Sequence, residues 1–420
     1  VSTEAALRSQ LNRQLAHWRA AVTTIDDADN FASPEAWARV EQYLNVELRK
    51  QLQGAVARLR AEVNGLAAQL ASAQTVEQLQ LVRVRLLAVR RFYVAVETTL
   101  DFYGDAVNTR TNPKLASILR TLDLVAMRSM DAVLQPLGHQ TPSVLTYIDK
   151  GLGASILRAG LRLWDGGTIS PAAAIKMTRH NLYRPTSLVH ETGHQVAHII
   201  GWVDEFASLL RHELAAHAPP EIVEGWAATA SEVVADIYAF VHCGYGAVAS
   251  LHDVVASEED AVLRYIPGDP HPIPYIRVLL NVEFCRRMYG AGPWDDLATA
   301  WTQVHSLARA APGTRAFLER STELLPRIAD LALMRRMRTF GARTITELVD
   351  PARVHPHVLT QWSQQLGTAI ETSMHWANAE PIRIVALSSY EMAAHPERAT
   401  QIAERYEAWA GRVGTAVRAA

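Results

Sequence analysis

Cysteine is nearly missing from this chain. Its 420 residues include only Cys243 and Cys285, too few for a disulfide scaffold and in keeping with a reducing compartment. An excess of one charge is missing too. Lys and Arg number 41 against 43 Asp and Glu, a formal net charge of -2. The basic footprint of a nucleic-acid-binding protein is therefore absent. No stretch approaches the ~18 continuous apolar residues of a membrane span. The longest candidates, around 278–282 and 199–202, are short and flanked by charge. The N-terminal stretch carries Glu4, Arg8, Arg13 and Arg19 at helical spacing without an apolar segment. It does not read as a secretory signal, so a cytoplasmic location is expected. Internal repeats and low-complexity runs are lacking as well. What the chain does have is apolar residues, 49% against 20% charged. That is ample for a sizeable core, and the length suggests two or three domains.

The first 140 residues read as helices. Ser33-Pro34-Glu35 combines a capping hydroxyl, proline at the first helical position and an acid in the first turn. Leu52, Val56, Leu59, Val63, Leu66 and Leu70 then alternate spacings of four and three. After a break at 71–75, where Thr75 and Gln78 form a capping-box pattern, Leu79, Val82, Leu86, Val89, Tyr93, Val96 and Leu100 repeat that spacing. Two such seams joined by a short turn predict an antiparallel coiled-coil hairpin. It either packs in a bundle or serves as a dimerisation arm. A further helix is expected from Pro113 to about Leu137. Strand-like segments follow at 144–148, 155–164 and 174–178, with a turn signal at Asp165-Gly166-Gly167. From 186 onward the signals are helical. The expected fold is mainly α with a small β-sheet. Its expected parts are an N-terminal helical bundle (1–140), a core (141–290) and a C-terminal helical domain (291–420).

Chemistry concentrates on a helix predicted over 186–202, with Thr186 or Ser187 as its cap. His190 and His194 lie one turn apart on one face, so both imidazoles can reach one Zn²⁺. Glu191 stands beside the first ligand, placed to act on the metal's water without binding the metal. This is the H-E-x-x-H arrangement. A catalytic zinc needs a third protein ligand. His198 lies two turns from His190, ~12 Å along a straight helix, too far to share an ion. It is read as a supporting or packing residue. Glu232 is the better ligand. It sits with Asp236 at i,i+4 on a helix predicted over 222–240, and Asp236 is placed to accept a hydrogen bond from a ligand histidine. Gly268-Asp269-Pro270-His271-Pro272 holds His271 at a proline-fixed helix start, with Arg277 six residues on.

These three pieces resemble the gluzincin metallopeptidases, and within them the CAAX-prenyl-protease type and its soluble relatives. His190-Glu191-Thr192-Gly193-His194, Glu232-Val233-Val234-Ala235-Asp236 and His271-Pro272 with Arg277 match the family's H-E-x-G-H, E-x-x-A-D and H-P…R elements. The resemblance implies a zincin-like core with His190, His194 and Glu232 on zinc and Glu191 as general base. It also implies Asp236 as the orienting carboxylate, His271 near metal or substrate, and a last strand, at 174–178, forming the cleft edge for an extended peptide. It covers about 169–280; the family's membrane spans have no counterpart here. The expected activity is zinc-dependent hydrolysis of a peptide or protein substrate, with His271 or Tyr275 as the second oxyanion donor. Two other readings stay open: a helical scaffold keeping a non-catalytic zinc site, and a zinc hydrolase of a non-peptide amide. Partners would be the substrate and, through the N-terminal helices, a second copy of the chain.

Overall fold

Two helices, α3 (Leu48–Ser72) and α4 (Val76–Asn108), form the hairpin expected from the seams. The computed structural model describes residues 3–416. Every seam position named above is buried, from Leu52 to Leu70 and from Leu79 to Leu100, and each such Leu or Val contributes about 1.5–3 kcal/mol by leaving water. The capping box closes the turn. Thr75 Oγ1 accepts from Gln78 N–H at 3.3 Å and Gln78 Oε1 accepts from Thr75 N–H at 3.2 Å. In front of the hairpin, α1 (Thr3–Ile25) packs on both helices through Leu11, Leu15, Val22 and Ile25, and α2 (Pro34–Leu44) starts at Ser33, whose Oγ accepts from Ala36 N–H. The outer face of α4 leaves Leu81, Val84, Leu87 and Val94 exposed.

The chain forms two compact units where the sequence suggested three parts. One contains the chain up to Ala116 together with Leu157–Ala174; the other contains Ser117–Ile156 and the chain from Ile175 on. Long-range polar anchors account for the difference. Asp165 accepts from Arg58 Nη2 at 2.5 Å, and Tyr103 Oη and Ser170 Oγ lie 3.0 Å apart in a buried pair. These ties hold the 157–174 segment in the first unit, although local pattern had assigned it to the core. Conversely α5 (Pro113–Leu134), read as part of the N-terminal bundle, joins the second unit from Ser117 onward. Its Arg120 and Thr121 donate to the carbonyls of Gly414 and Ala410, each at 2.6 Å. The C-terminal helices are grouped with that unit as well.

The chain is mainly α with a three-stranded sheet. β1 (Val144–Ile148), β2 (Ser155–Leu157) and β3 (Ala173–Met177) lie in the order β1-β3-β2. β2 is far shorter than the 155–164 segment expected. β3 is the central strand, so it is not the cleft edge that the resemblance implied. The helices that follow are α6 (Thr186–Ile200), α7 (Trp202–Leu214), α8 (Pro220–Ala228), α9 (Ala230–Cys243), α10 (Tyr245–Val255), α11 (Glu259–Val262) and α12 (Pro274–Tyr289). Beyond them come α13 (Pro293–Val304), α14 (Pro312–Met334), α15 (Ile345–Leu348), α16 (Pro356–Leu366), α17 (Ala369–Thr372), α18 (Met374–Ala379), α19 (Pro381–Ala394) and α20 (Ala399–Ala416). α9 is the axis of the second unit, buried along nearly its whole length and packed on α6, α7, α10, α12 and α19. Among the described residues, no helix is long and apolar enough to cross a membrane.

Near the end of α9, His242 is 4% exposed, its Nε2 has no hydrogen-bond partner, and burial pushes its pKa down to about 3. The unfolded imidazole titrates near 6.5. Between these values the unfolded chain holds a proton that the folded chain refuses. The contribution of His242 to stability is therefore intact above pH 6.5 and is lost on acidification, by up to about 1.4 kcal/mol per pH unit. Urea titrations of wild type and His242→Gln between pH 7 and 4 should show the wild type losing more. An identical pH slope in both would refute the assignment.

Candidate metal centre

Two helix boundaries set the geometry. α6 starts one residue after Pro185, with Thr186 as its first helical residue and no side-chain cap, so neither Thr186 nor Ser187 caps it. It ends at Ile200 because Gly201 takes the left-handed conformation, φ 72°, that closes a helix. Trp202 already belongs to α7. The helix expected over 222–240 is two helices, interrupted at Thr229 (φ -93°, ψ 7°), whose hydroxyl donates to Trp226 O at 3.1 Å. The interruption places Glu232 in the first turn of α9, where the helix dipole favours a carboxylate.

α6 and α9 pack closely at Gly193. A Cβ there would lie 2.9 Å from Tyr238 Cβ and 3.1 Å from Ala235 Cα. The close packing brings the donors of the two helices together. Gly193→Ala should therefore cost about 1–3 kcal/mol by overpacking and weaken metal uptake, read by denaturant melts and metal titration. A variant with wild-type stability and uptake would show that the contact can yield freely.

His190, His194 and Glu232 each present one ligand atom, all within 4.8 Å of one another. His190 Nε2 lies 3.4 Å from Glu232 Oε2 and His194 Nε2 lies 3.3 Å from Glu232 Oε1. Tetrahedral ligands at ~2.0–2.1 Å from one ion stand ~3.3–3.4 Å apart. The two gaps run to different oxygens of Glu232, and the three donors are close enough to share one ion. The other ring nitrogens are engaged. His190 Nδ1 is 2.9 Å from Asp236 Oδ1, and Ser231 Oγ is 3.3 Å from His194 Nδ1. With Nδ1 protonated and donating, each Nε2 keeps its lone pair for a metal.

Arg277 is the electrostatic centre of the cluster. Its Nε and Nη2 donate to the two oxygens of Asp236, each at 2.8 Å, and Nη2 also reaches Glu232 Oε2 at 3.2 Å. Asn281, one turn further along α12, donates to Asp236 at 3.2 Å. Burial raises the pKa of Asp236, but the charge and hydrogen bonds of Arg277 outweigh it and hold the carboxyl well below its usual range. Burial likewise opposes ionisation of Glu232, and the two histidines and Arg277 overcome it. Without a metal, His190 is pushed up to about 10, because its bonds to Asp236 and Glu232 outweigh burial. Glu191 differs from the other acids. It is 7% exposed, and burial raises its pKa against the pull of His190 and His194. With neutral imidazoles, three carboxylates (Glu191, Glu232, Asp236) face the single guanidinium of Arg277. The residual charge is that of two anions, which a divalent cation neutralises. Two imidazoles and a carboxylate are the donors such a first-row ion prefers.

Glu191, Glu232, Asp236, His190, Arg277 and His271 all line one cavity of about 140 Å³. His271 stands at its rim, 52% exposed at the side chain. Its Nδ1 and backbone N–H meet Asp269 Oδ1 at 2.7 and 3.0 Å, and its Nε2 lies 3.4 Å from Glu232. Two expected residues lie elsewhere. Tyr275 is 4% exposed and is not part of the cavity wall; its carbonyl accepts from Trp301 Nε1. The proline-started helix turns this side chain into the core. His198 is exposed and also outside the cavity wall. The sequence reading missed Ser231, Asn281 and the apolar wall supplied by Leu251, Val254 and Val255 of α10. Asn281 was findable, being one helical turn beyond Arg277. No protein-family model matches the chain, no curated protein matches it, and no solved structure matches it.

Proposed function

We propose that the protein is a zinc-dependent hydrolase that cleaves peptide bonds. The observation that carries this reading is the triad His190, His194 and Glu232, close enough to share one ion, with Glu191 in the same cavity but outside the triad. His190, His194 and Glu232 would hold the zinc. When bound, zinc supplies a Lewis acid for the scissile carbonyl and lowers the pKa of a water toward ~7. Glu191, buried and with its pKa raised, is suited to take a proton from the attacking water and return it to the leaving amine. His271, oriented by Asp269, presents Nε2 toward the cavity and is the candidate second donor to the oxyanion. Asp236 and Arg277 keep His190 in the tautomer that leaves Nε2 free. The choice of a peptide as substrate rests on the gluzincin resemblance.

Metal analysis together with a peptide-library digest tests the reading. Purified protein should contain about one zinc per chain, removable by chelator, and should cut peptides only when loaded. Metal-free protein that takes up no added zinc would defeat it, as would loaded protein that cuts nothing in the library.

A further inference from the structure

The first unit carries a surface that its own packing leaves unused. α4 buries one face in the hairpin seam. On its outward face Leu81, Val84, Leu87 and Val94 are between 41% and 66% exposed. Positions 84, 87, 91 and 94 follow spacings of three, four and three, so they share one stripe, ~20 Å long when counted from Leu81. A single exposed leucine is ordinary, whereas four aligned apolar residues on one helix form a patch.

The charge on this face has one sign. From Gln78 to Val96, α4 has no acid and four arginines, Arg83, Arg85, Arg90 and Arg91. The neighbouring α1 has no acid from Ala5 to Ile25 and contributes Arg13. Arg85 is tied to Glu62 of α3 at 3.5 Å. Arg13, Arg83, Arg90 and Arg91 are exposed and make no ion pair among the described residues. Arg91 stands inside the apolar stripe, and Arg83 and Arg90 run along its side.

A groove between α1 and α4 continues the patch. Arg13, His17 and Trp18 wall it on one side, Leu87 and Arg90 on the other. Trp18 is half-buried, with its ring against Tyr93 at 5.2 Å between centroids. Such a ring, with an apolar body and a polar N–H, settles where headgroups meet acyl chains.

Charge selects the occupant. A second copy docked on this face would set arginines against arginines, with no acid in these stretches of α1 and α4 to meet them. The surface instead attracts negative charge presented next to apolar depth, which is what an anionic lipid leaflet offers.

We propose that the outward face of α4, with Arg13 and Trp18 of α1, docks the protein on the surface of an anionic lipid bilayer. Leu81, Val84, Leu87 and Val94 enter the boundary between headgroups and acyl chains. Arg13, Arg83, Arg90 and Arg91 pair with the lipid phosphates and carboxylates. The chain lies on the membrane and does not cross it. The inference stands on the first unit alone and does not depend on the peptidase reading.

Co-sedimentation of the whole chain with lipid vesicles tests it. The protein should pellet with phosphatidylcholine vesicles containing about one-third phosphatidylserine, and should bind pure phosphatidylcholine at least about tenfold more weakly. Raising the salt from about 0.1 to 1 M, which shortens the Debye length from about 10 to 3 Å, should release it. Arg90→Gln/Arg91→Gln should weaken binding about thirtyfold, about fivefold for each arginine at an anionic leaflet. Leu87→Gln/Val94→Gln keeps every charge and should still weaken binding at least about fivefold. All four positions are exposed, so unchanged circular dichroism and melting temperature are expected and separate lost docking from lost folding. Equal binding to both kinds of vesicle, or full binding by either variant, would overturn the proposal. Absence of binding to the anionic vesicles would overturn it too and leave an acidic protein segment as the occupant of this face. So would a lipid-free dimer, seen by sedimentation velocity, that Leu87→Gln/Val94→Gln dissolves, because the stripe would then seat a second copy.

Discussion

Glu191→Gln is expected to lose about 10²–10⁴-fold in peptide turnover, the usual worth of a positioned general base, while keeping about one zinc per chain. The two outcomes separate because Glu191 shares the cavity with the triad without belonging to it. Glutamine keeps the volume and a hydrogen-bonding oxygen, but its amide cannot hold the transferred proton. His190→Ala should behave differently and lose metal and turnover together, since it removes a ligand atom. Metal content and single-turnover cleavage, measured on the same samples, resolve the two patterns. Full activity of Glu191→Gln on a demonstrated substrate would sink the mechanism. Loss of zinc from that variant would make Glu191 a ligand and overturn the assigned triad.

The second large effect belongs to Arg277→Met. Arg277 is 6% exposed and holds Asp236 through two hydrogen bonds and Glu232 through a third. Methionine replaces its volume but leaves two buried carboxylates without their counter-charge. Breaking a buried pair in this way costs about 3–5 kcal/mol. Urea unfolding in the presence of chelator is the appropriate measurement, because bound zinc would mask part of the loss. Under those conditions a change below about 1 kcal/mol would show that His190, protonated between Asp236 and Glu232, suffices to balance the cluster. Zinc affinity should fall as well, since His190 would lose the fixed acceptor at its Nδ1.

What the sequence reveals about this protein is what repeats at short range. The hairpin was legible because the seams at 52–70 and 79–100 bury an unbroken three-four pattern and Thr75 with Gln78 marks the turn. His190 with His194 and Glu232 with Asp236 were legible as chemistry because each pair sits at helical spacing, and Arg277 because it follows His271-Pro272 at the spacing of the resembled motif. The mainly α fold with its small sheet followed from the same periodicities. Features set at long range were not legible. Arg58 and Asp165 are far apart in sequence, so nothing local says that the 157–174 segment returns to the first unit. The interruption at Thr229 has no glycine or proline to announce it. Tyr275 is polar enough to pass for a cavity residue, yet the rotation of α12 that aims Arg277 at the acids buries the tyrosine. Sheet order depends on which strand docks between the others, and no strand pattern here encodes that β3 is the middle one.

The contact at Gly193 bears on when the metal site comes into being. His190 and His194 flank the glycine on one helix, and the other helix carries Glu232 with Ala235 and Tyr238, against which the glycine fits. Docking of α6 on α9 therefore gathers the donors. The entropy of ordering them is lost during folding of the chain and not upon arrival of the ion. Any metal ion taken up there would be captured by a receptor already assembled, unlike the small domains whose folding waits on their metal.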